Sequence, residues 1–168
     1  MSALLADAAR GMVFIHAAPK ALCPHIEWAI GRALGDPSPI RWEDQPVLPG
    51  ARRAEVPWEG REGSGAAIAS ALRGWPDVRF EVTEEGGVEA SRWMHTPSLG
   101  MTRTTVDALG TVLVSEHRVR AAMELAGRDL EALHRELRGA LGTDWDDELE
   151  VFRHASDASP VIWLHKAG

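Results

Sequence analysis

Residues 12–34, MVFIHAAPKALCPHIEWAIGRAL, decide the fold because they predict a strand followed at once by a helix. The apolar run Met12 to Ala17 predicts a buried strand, which Pro19 ends. Pro24 then stands at the first position of a helix, and Gly35 is typical of the residue that ends one. Between these two residues lies a single apolar stripe at helical spacing, formed by Ile26, Ala29, Ile30, Ala33 and Leu34.

The same kind of pattern continues to residue 85. Ile40–Leu48 and Ala51–Trp58 are extended stretches around Pro49-Gly50, which predicts a hairpin. A glycine-rich turn then leads into a helix over Ala66–Arg73, and Val78–Glu84 alternates like a half-buried strand. The order β-α-β-β-α-β is that of the ferredoxin-like arrangement.

The second half has a different pattern. Its predicted elements are strands at Arg92–Thr96 and Met101–Val106, a strand or strand-then-helix from Thr111 to about Met123, helices at Asp129–Leu141 and from Thr143, and a last strand at Val161–His165. We therefore predict an α+β fold, in which a ferredoxin-like βαββαβ first half is extended by further strands and two C-terminal helices. A flexible arm, 1–10, would precede one globular domain, 11–168, built from halves 11–85 and 88–168.

Composition and charge exclude several classes of function. The 168 residues are 45% hydrophobic, enough to form a sizeable core, and carry a net charge of -7. An acidic chain without a basic stripe is a poor ligand for nucleic acid or for a membrane surface. Cys23 is the only cysteine, and the N-terminus lacks the apolar core of a signal peptide, so we expect a cytoplasmic protein.

Familiar catalytic and cofactor motifs are missing. The chain has no Walker A loop, HExxH, CxxC, GxSxG elbow or calcium loop, so we expect no cofactor. His16, Cys23 and His25 include donor atoms that zinc accepts, but their spacing matches no standard site and no fourth ligand is evident. We therefore predict no metal site.

The ferredoxin-like order implies one candidate site. In that fold strands one and three are adjacent and parallel, so both helices that follow them begin at the same end of the sheet. Two helix N-termini with unpaired N–H groups would form an anion-binding edge. The candidate ligand-binding residues are His16, Cys23, His25, Arg61, Ser64 and Gly65, with Ser64 a candidate N-cap. The alternative, which we favour, is that the second half of the chain covers this edge and satisfies its amides.

Cys23 allows a catalytic interpretation of the same edge. A cysteine at a helix N-terminus has a lowered thiol pKa, and His16 or His25 could activate it as a nucleophile. No acidic residue is placed to orient either histidine, however, and an inert buried cysteine is the commoner case. A small enzyme that uses this Cys/His/Ser edge is therefore the alternative function.

Trp28 and Arg32 are i, i+4 neighbours on the first helix, away from its apolar stripe. Both residue types are common in the energetic centres of protein interfaces. Either the second half packs on them, which we favour, or they form an exposed face that binds a partner.

Several motifs together resemble an actinobacterial family of small cytoplasmic proteins of unknown function. The resemblance covers nearly the whole chain and rests on V-F-I-H-A (13–17), C-P-H-I-E-W-A (23–29), F-E-V-T-E (80–84), H-T-P (95–97) and L-G-T-D-W-D (141–146). It implies no catalytic residue.

The function that these observations favour is a non-catalytic binding or regulatory module. Its partner would be a cytoplasmic protein or a small anionic metabolite, and the sequence leaves the oligomeric state open. The absence of a catalytic constellation supports this prediction, and the frequent use of ferredoxin-like folds as binding modules supports it by analogy.

Overall fold

The computed structural model describes residues 7–37 and 39–154, which form one antiparallel sheet of seven strands and five α-helices. The strands are β1 (Ala8–Pro19), β2 (Glu43–Asp44), β3 (Ala51–Arg61), β4 (Arg79–Glu85), β5 (Glu89–Thr96), β6 (Gly100–Asp107) and β7 (Val112–Leu113). The helices are α1 (Cys23–Leu34), α2 (Ser64–Leu72), α3 (Glu116–Ala126), α4 (Leu130–Leu141) and α5 (Thr143–Arg153). The predicted α+β fold class is confirmed. β1 starts within the expected N-terminal arm, and the strand predicted at Val161–His165 lies outside the described residues.

The central strands run in a direction that the ferredoxin-like order does not predict. The strand order is β2-β3-β1-β4-β5-β6-β7, so β1 and β3 are neighbours as expected. They are antiparallel, however, because Ala8 pairs with Arg61 and Pro19 with Ala51. The prediction of a parallel central pair is therefore wrong.

The segment after α1 explains this direction. It returns along the helix, where Trp42 Nε1 donates to Glu27 Oε1 at 2.7 Å. β3 consequently starts beside the end of β1 instead of beside its beginning. Of the predicted strand Ile40–Leu48, only the short β2 pairs with β3.

The main core lies between the sheet and the two helices α1 and α2. The periodicity predicts this face correctly, since α1 buries Ile26 and Ile30 and ends at Gly35, whose φ is 70°. These side chains pack against those of the central strands and α2, including Val13, Ile15, Phe80, Val82, Ile68 and Leu72.

A bulge in β1 shapes the opposite face of the sheet, which α5 crosses over β1 and β5. The pairing of β1 with β3 shifts between Ile15 and Ala18. The carbonyl of His16 accepts a hydrogen bond of 2.6 Å from Nε2 of the buried Gln45 at this bulge. Ala17 packs with Ala51 and with Phe152 of α5. The bulge thus presents two successive residues, His16 and Ala17, to the α5 side.

Helices α3 and α4 pack mainly on each other, with α4 also touching α5. Asp129 is the N-cap of α4 and accepts hydrogen bonds from Glu131 N and Ala132 N. Few side chains of these two helices are buried, namely Ala122, Ala126 and Ala140. No helix within 7–37 and 39–154 combines the length and the apolar character that a membrane crossing requires.

Candidate partner-binding face and buried charge cluster

The two helix N-termini of the predicted anion edge lie at opposite ends of the sheet. Cys23 follows the end of β1 that pairs with Ala51, whereas Ser64 follows the end of β3 that pairs with Ala8. At about 3.3 Å per residue, the 12 residues of β1 separate these ends by roughly 35 Å. His16, Cys23 and His25 are thus far from Arg61, Ser64 and Gly65, and the expected juxtaposition is wrong. A ligand role for any single one of them stays a prediction.

A side chain from the sheet already occupies the N-terminus of α2. The Glu84 carboxylate accepts hydrogen bonds from Gly63 N at 2.8 Å and from Gly65 N at 2.6 Å. Gly65 allows this approach, because a Cβ there would lie 2.8 Å from Glu84 Oε2. Gly63, with a φ of 91°, is the N-cap, and the predicted cap Ser64 makes no capping hydrogen bond. The protein thus satisfies these amides itself at α2, although with Glu84 of the first half and not with the second half as expected.

Cys23 lacks the environment of a nucleophile. Burial raises the pKa of its thiol above the ordinary value, and the charge of Arg52 only partly offsets this effect. Its Sγ donates to Pro19 O at 3.8 Å. The expected fall in the thiol pKa is wrong, and Ser64 is at the far end of the sheet. In the described part of the chain, no group of three or more His, Cys, Asp or Glu side chains could hold a metal ion.

His16 belongs instead to a buried charge cluster on the α5 face of the sheet, centred on Glu81 of β4. His16 Nε2 contacts Glu81 Oε2 directly, and both side chains are buried. Arg92 of β5 donates to Glu81 Oε1 from Nη2 at 2.5 Å and from Nε at 3.1 Å. The Glu81 carboxylate of β4 thereby links its own strand to β1, which carries His16, and to β5, which carries Arg92.

Helix α5 completes this cluster from above the sheet. Arg153 donates to Glu81 Oε1 at 2.6 Å and to Glu81 Oε2 at 3.1 Å. Asp146 lies about two helical turns before Arg153 on the same side of α5. Its carboxylate accepts hydrogen bonds from Arg92 Nη2 at 2.6 Å and from Arg153 Nη2 at 3.0 Å. The charge cluster, defined as His16, Glu81, Arg92, Asp146 and Arg153, therefore attaches α5 to the sheet.

The charges in the cluster shift one another's protonation equilibria. Burial alone would raise the pKa of Glu81, but the charge of His16 and its hydrogen bond, with Arg92 and Arg153, hold that pKa far below its usual range. Burial opposes the charge on Arg153 as well, yet Glu81 and Asp146 raise its pKa above the ordinary value. Both groups are thus stabilised in their charged forms. This is the pattern of a structural ion cluster, in which each charge has a partner.

Sequence reasoning found His16 but missed its partners. The one signal was the charged residue Glu81 at a central position of the predicted strand Val78–Glu84. Because side chains alternate along a strand, Glu81 points to the face opposite to that of Phe80 and Val82. In a half-buried strand, the face with the charged residue is expected to be exposed to solvent. Only the covering helix α5 makes this face interior.

Trp28 and Arg32 lie on the exposed side of α1. Trp28 is 64% exposed, so the expectation that the second half packs on it is wrong for the described residues. The Arg32 guanidinium lies over the indole ring, 5.1 Å from its centroid. His25, which is also exposed, precedes Trp28 by one helical turn. We call His25, Trp28 and Arg32 the Trp28 face.

The Trp28 face carries no acidic side chain. Glu27 is the one acidic residue of α1, and its carboxylate is engaged by the Trp42 indole. Arg32 has no carboxylate within 4.0 Å among residues 7–37 and 39–154. A large aromatic surface and an uncompensated cation therefore stand side by side in a chain whose net charge is -7.

Comparison with protein families places this chain in one family. A family model described as "Protein of unknown function (DUF3145)" matches residues 12–166. The chain belongs to this family. Neither a curated protein nor a solved structure matches it. The resemblance to a family of unknown function is thereby confirmed.

The DUF3145 match includes both features described above. It begins at Met12, four residues before His16, and extends past Arg153, so it contains the charge cluster and the Trp28 face. The family description assigns neither of them a role. Their function has to be argued from their own geometry.

Proposed function

We propose that this chain is a non-catalytic binding module that docks a partner protein on the Trp28 face. The observation that carries the proposal is the 64% exposure of Trp28 beneath the Arg32 guanidinium. A tryptophan stacked with an arginine offers apolar area together with directed donors, and both residue types are enriched in the energetic centres of interfaces.

The geometry favours a protein partner over a small anionic metabolite. The predicted anion edge is divided between the two ends of the sheet, and Glu84 occupies one of its helix N-termini. The Trp28 face is an exposed outer surface of a helix, and an outer surface of this kind suits a macromolecule better than a small ligand. The cytoplasmic location favoured by the single cysteine and the actinobacterial distribution of the family are parts of this proposal.

An affinity experiment with matched variants tests the proposal. The full chain, tagged, is incubated with an extract of its source cells, and the captured proteins are compared with those captured by Trp28→Ala. The control is Val88→Ala, which truncates a side chain that is 86% exposed in the turn after β4. We expect a protein that the unchanged chain and Val88→Ala capture and Trp28→Ala loses. Equal capture by all three chains would overturn the proposal.

A further inference from the structure

The charges around Trp28 also indicate what kind of partner fits. Trp28, His25 and Arg32 project from the side of α1 that faces away from its buried residues. Arg32 is the charged member of this face that stacks on the indole, and Glu27, the acidic residue of α1, is engaged by the Trp42 indole. The face is therefore cationic within an acidic molecule.

Resting on the proposed function, we propose that the partner presents an acidic protein segment, with a carboxylate beside an apolar side chain. The apolar side chain packs on the exposed part of the Trp28 indole. The carboxylate accepts hydrogen bonds from Arg32, whose planar guanidinium donates two parallel hydrogen bonds to carboxylates while its flat side stays on the ring. Charge complementarity selects this occupant, because an acidic segment meets no like charge on the Trp28 face.

Arg32 also has a reason to be available for this contact. It lies in the last turn of α1, where the helix dipole favours a cation, so it needs no carboxylate from its own chain. Its ring contact with Trp28 orders the side chain before binding. A preordered side chain loses less conformational entropy when a partner docks.

Cross-linking identifies the segment. The photoreactive residue benzoylphenylalanine replaces His25 in the full chain, which leaves Trp28 and Arg32 in place, and the chain is irradiated in the source-cell extract. Mass spectrometry then reads the cross-linked peptide. We expect a segment of another protein with Asp or Glu next to the cross-link. A segment without a carboxylate there would overturn the inference, and so would a segment of this same chain, which would indicate self-association.

Binding measurements then test the charge itself. The probe is a synthetic peptide of the cross-linked segment, with a second version in which each Asp and Glu is replaced by Asn and Gln. We expect the neutralised peptide to bind at least about tenfold more weakly, and Arg32→Glu to weaken the acidic peptide equally. The control Arg118→Glu changes the net charge identically at an exposed position of α3, outside both candidate sites. It should leave the affinity unchanged.

The outcomes separate this inference from the proposed function. If Trp28→Ala abolishes capture while Arg32→Glu and the neutralised peptide still bind within about twofold, the binding face stands and the acidic partner class is wrong. If Trp28→Ala changes nothing, the proposed function itself fails. Thermal unfolding of Arg32→Glu checks that its effect is not a loss of folding.

Discussion

Glu81 and Arg153 join the sheet to α5 through two buried hydrogen bonds, of 2.6 Å and 3.1 Å, although they are 72 residues apart in the chain. Glu81 is fully buried and Arg153 nearly so. The pair is not isolated, because Asp146 bonds to Arg153 from the same helix and Arg92 bonds to Glu81 from β5. Both charged side chains that α5 places against the sheet, Asp146 and Arg153, therefore have partners of opposite charge.

Removing the charge of Glu81 should destabilise the fold strongly. Glu81→Gln leaves the buried guanidinium groups of Arg92 and Arg153 short of one carboxylate, which typically costs about 3–5 kcal/mol. The control is Glu85→Gln, which removes an exposed ion pair with Arg10 at 3.4 Å and should cost less than about 1 kcal/mol. Urea unfolding measures both. Similar losses for the two variants would show that the cluster does not hold α5 in place.

The same cluster predicts how stability depends on pH. The pKa of Glu81 is lowered in the folded protein, so its contribution is complete above the unfolded glutamate pKa of about 4.3 and is lost as the pH falls toward the folded pKa. Between these two pKa values the stability difference between the unchanged chain and Glu81→Gln should shrink by up to about 1.4 kcal/mol per pH unit as the pH falls. Urea unfolding at pH 7, 4 and 3 measures it. A difference independent of pH would contradict the lowered pKa.

Local patterns in the sequence predict most elements but not the direction of the strands. Proline and glycine punctuation with an apolar stripe was sufficient for α1, and alternation was sufficient for β4. The direction of β3 depends instead on the segment after α1, which runs back along the helix through the Trp42–Glu27 hydrogen bond. The ferredoxin-like fold and the observed fold have the same succession of strands and helices up to β4. They differ in the direction of β3 relative to β1, which a tertiary contact determines.

The site was predictable only in part, for the same reason. Helical spacing alone placed Trp28 and Arg32 together, and their ring contact confirms it. Their exposure was not predictable, because it depends on where helices such as α5 pack, and α5 lies on the opposite face of the sheet. The contact between His16 and Glu81 spans 65 residues and requires both the bulge in β1 and the β1–β4 pairing. No local pattern specifies such a contact.

Gly11 should tolerate no side chain. A Cβ at this position would lie 1.8 Å from the Thr83 carbonyl oxygen, which belongs to the backbone of β4 and cannot move independently. We expect Gly11→Ala to cost more than about 3 kcal/mol, above the usual range for overpacking. Gly139→Ala is the matched control, because that Cβ meets nothing within 4 Å inside α4 and should add about 0.5–1 kcal/mol of helix stability. Urea unfolding that ranks the two variants otherwise would contradict the close approach of β1 and β4.

Cys23 should react slowly with thiol reagents. Its raised pKa leaves less thiolate at any given pH than an ordinary cysteine has, and burial restricts access. The rate of alkylation by iodoacetamide at pH 8 is compared with that of Val88→Cys in a Cys23→Ser background, where the only thiol is exposed. We expect at least about a tenfold slower reaction at Cys23. An equal or faster rate would revive the alternative of a nucleophilic cysteine.

Two tryptophans should differ in their importance for folding. Trp58 is 4% exposed within the main core, so Trp58→Ala should cost about 3–5 kcal/mol. Trp28→Ala should change the free energy of unfolding by less than about 0.5 kcal/mol, because the ring is largely exposed and stacks with the exposed Arg32 side chain. Urea unfolding of both variants measures the difference. A loss at Trp28 as large as that at Trp58 would mean that the Trp28 face is part of the core, and capture experiments with Trp28→Ala would then report unfolding. A small loss makes any partner that the variant fails to capture a partner of the Trp28 face.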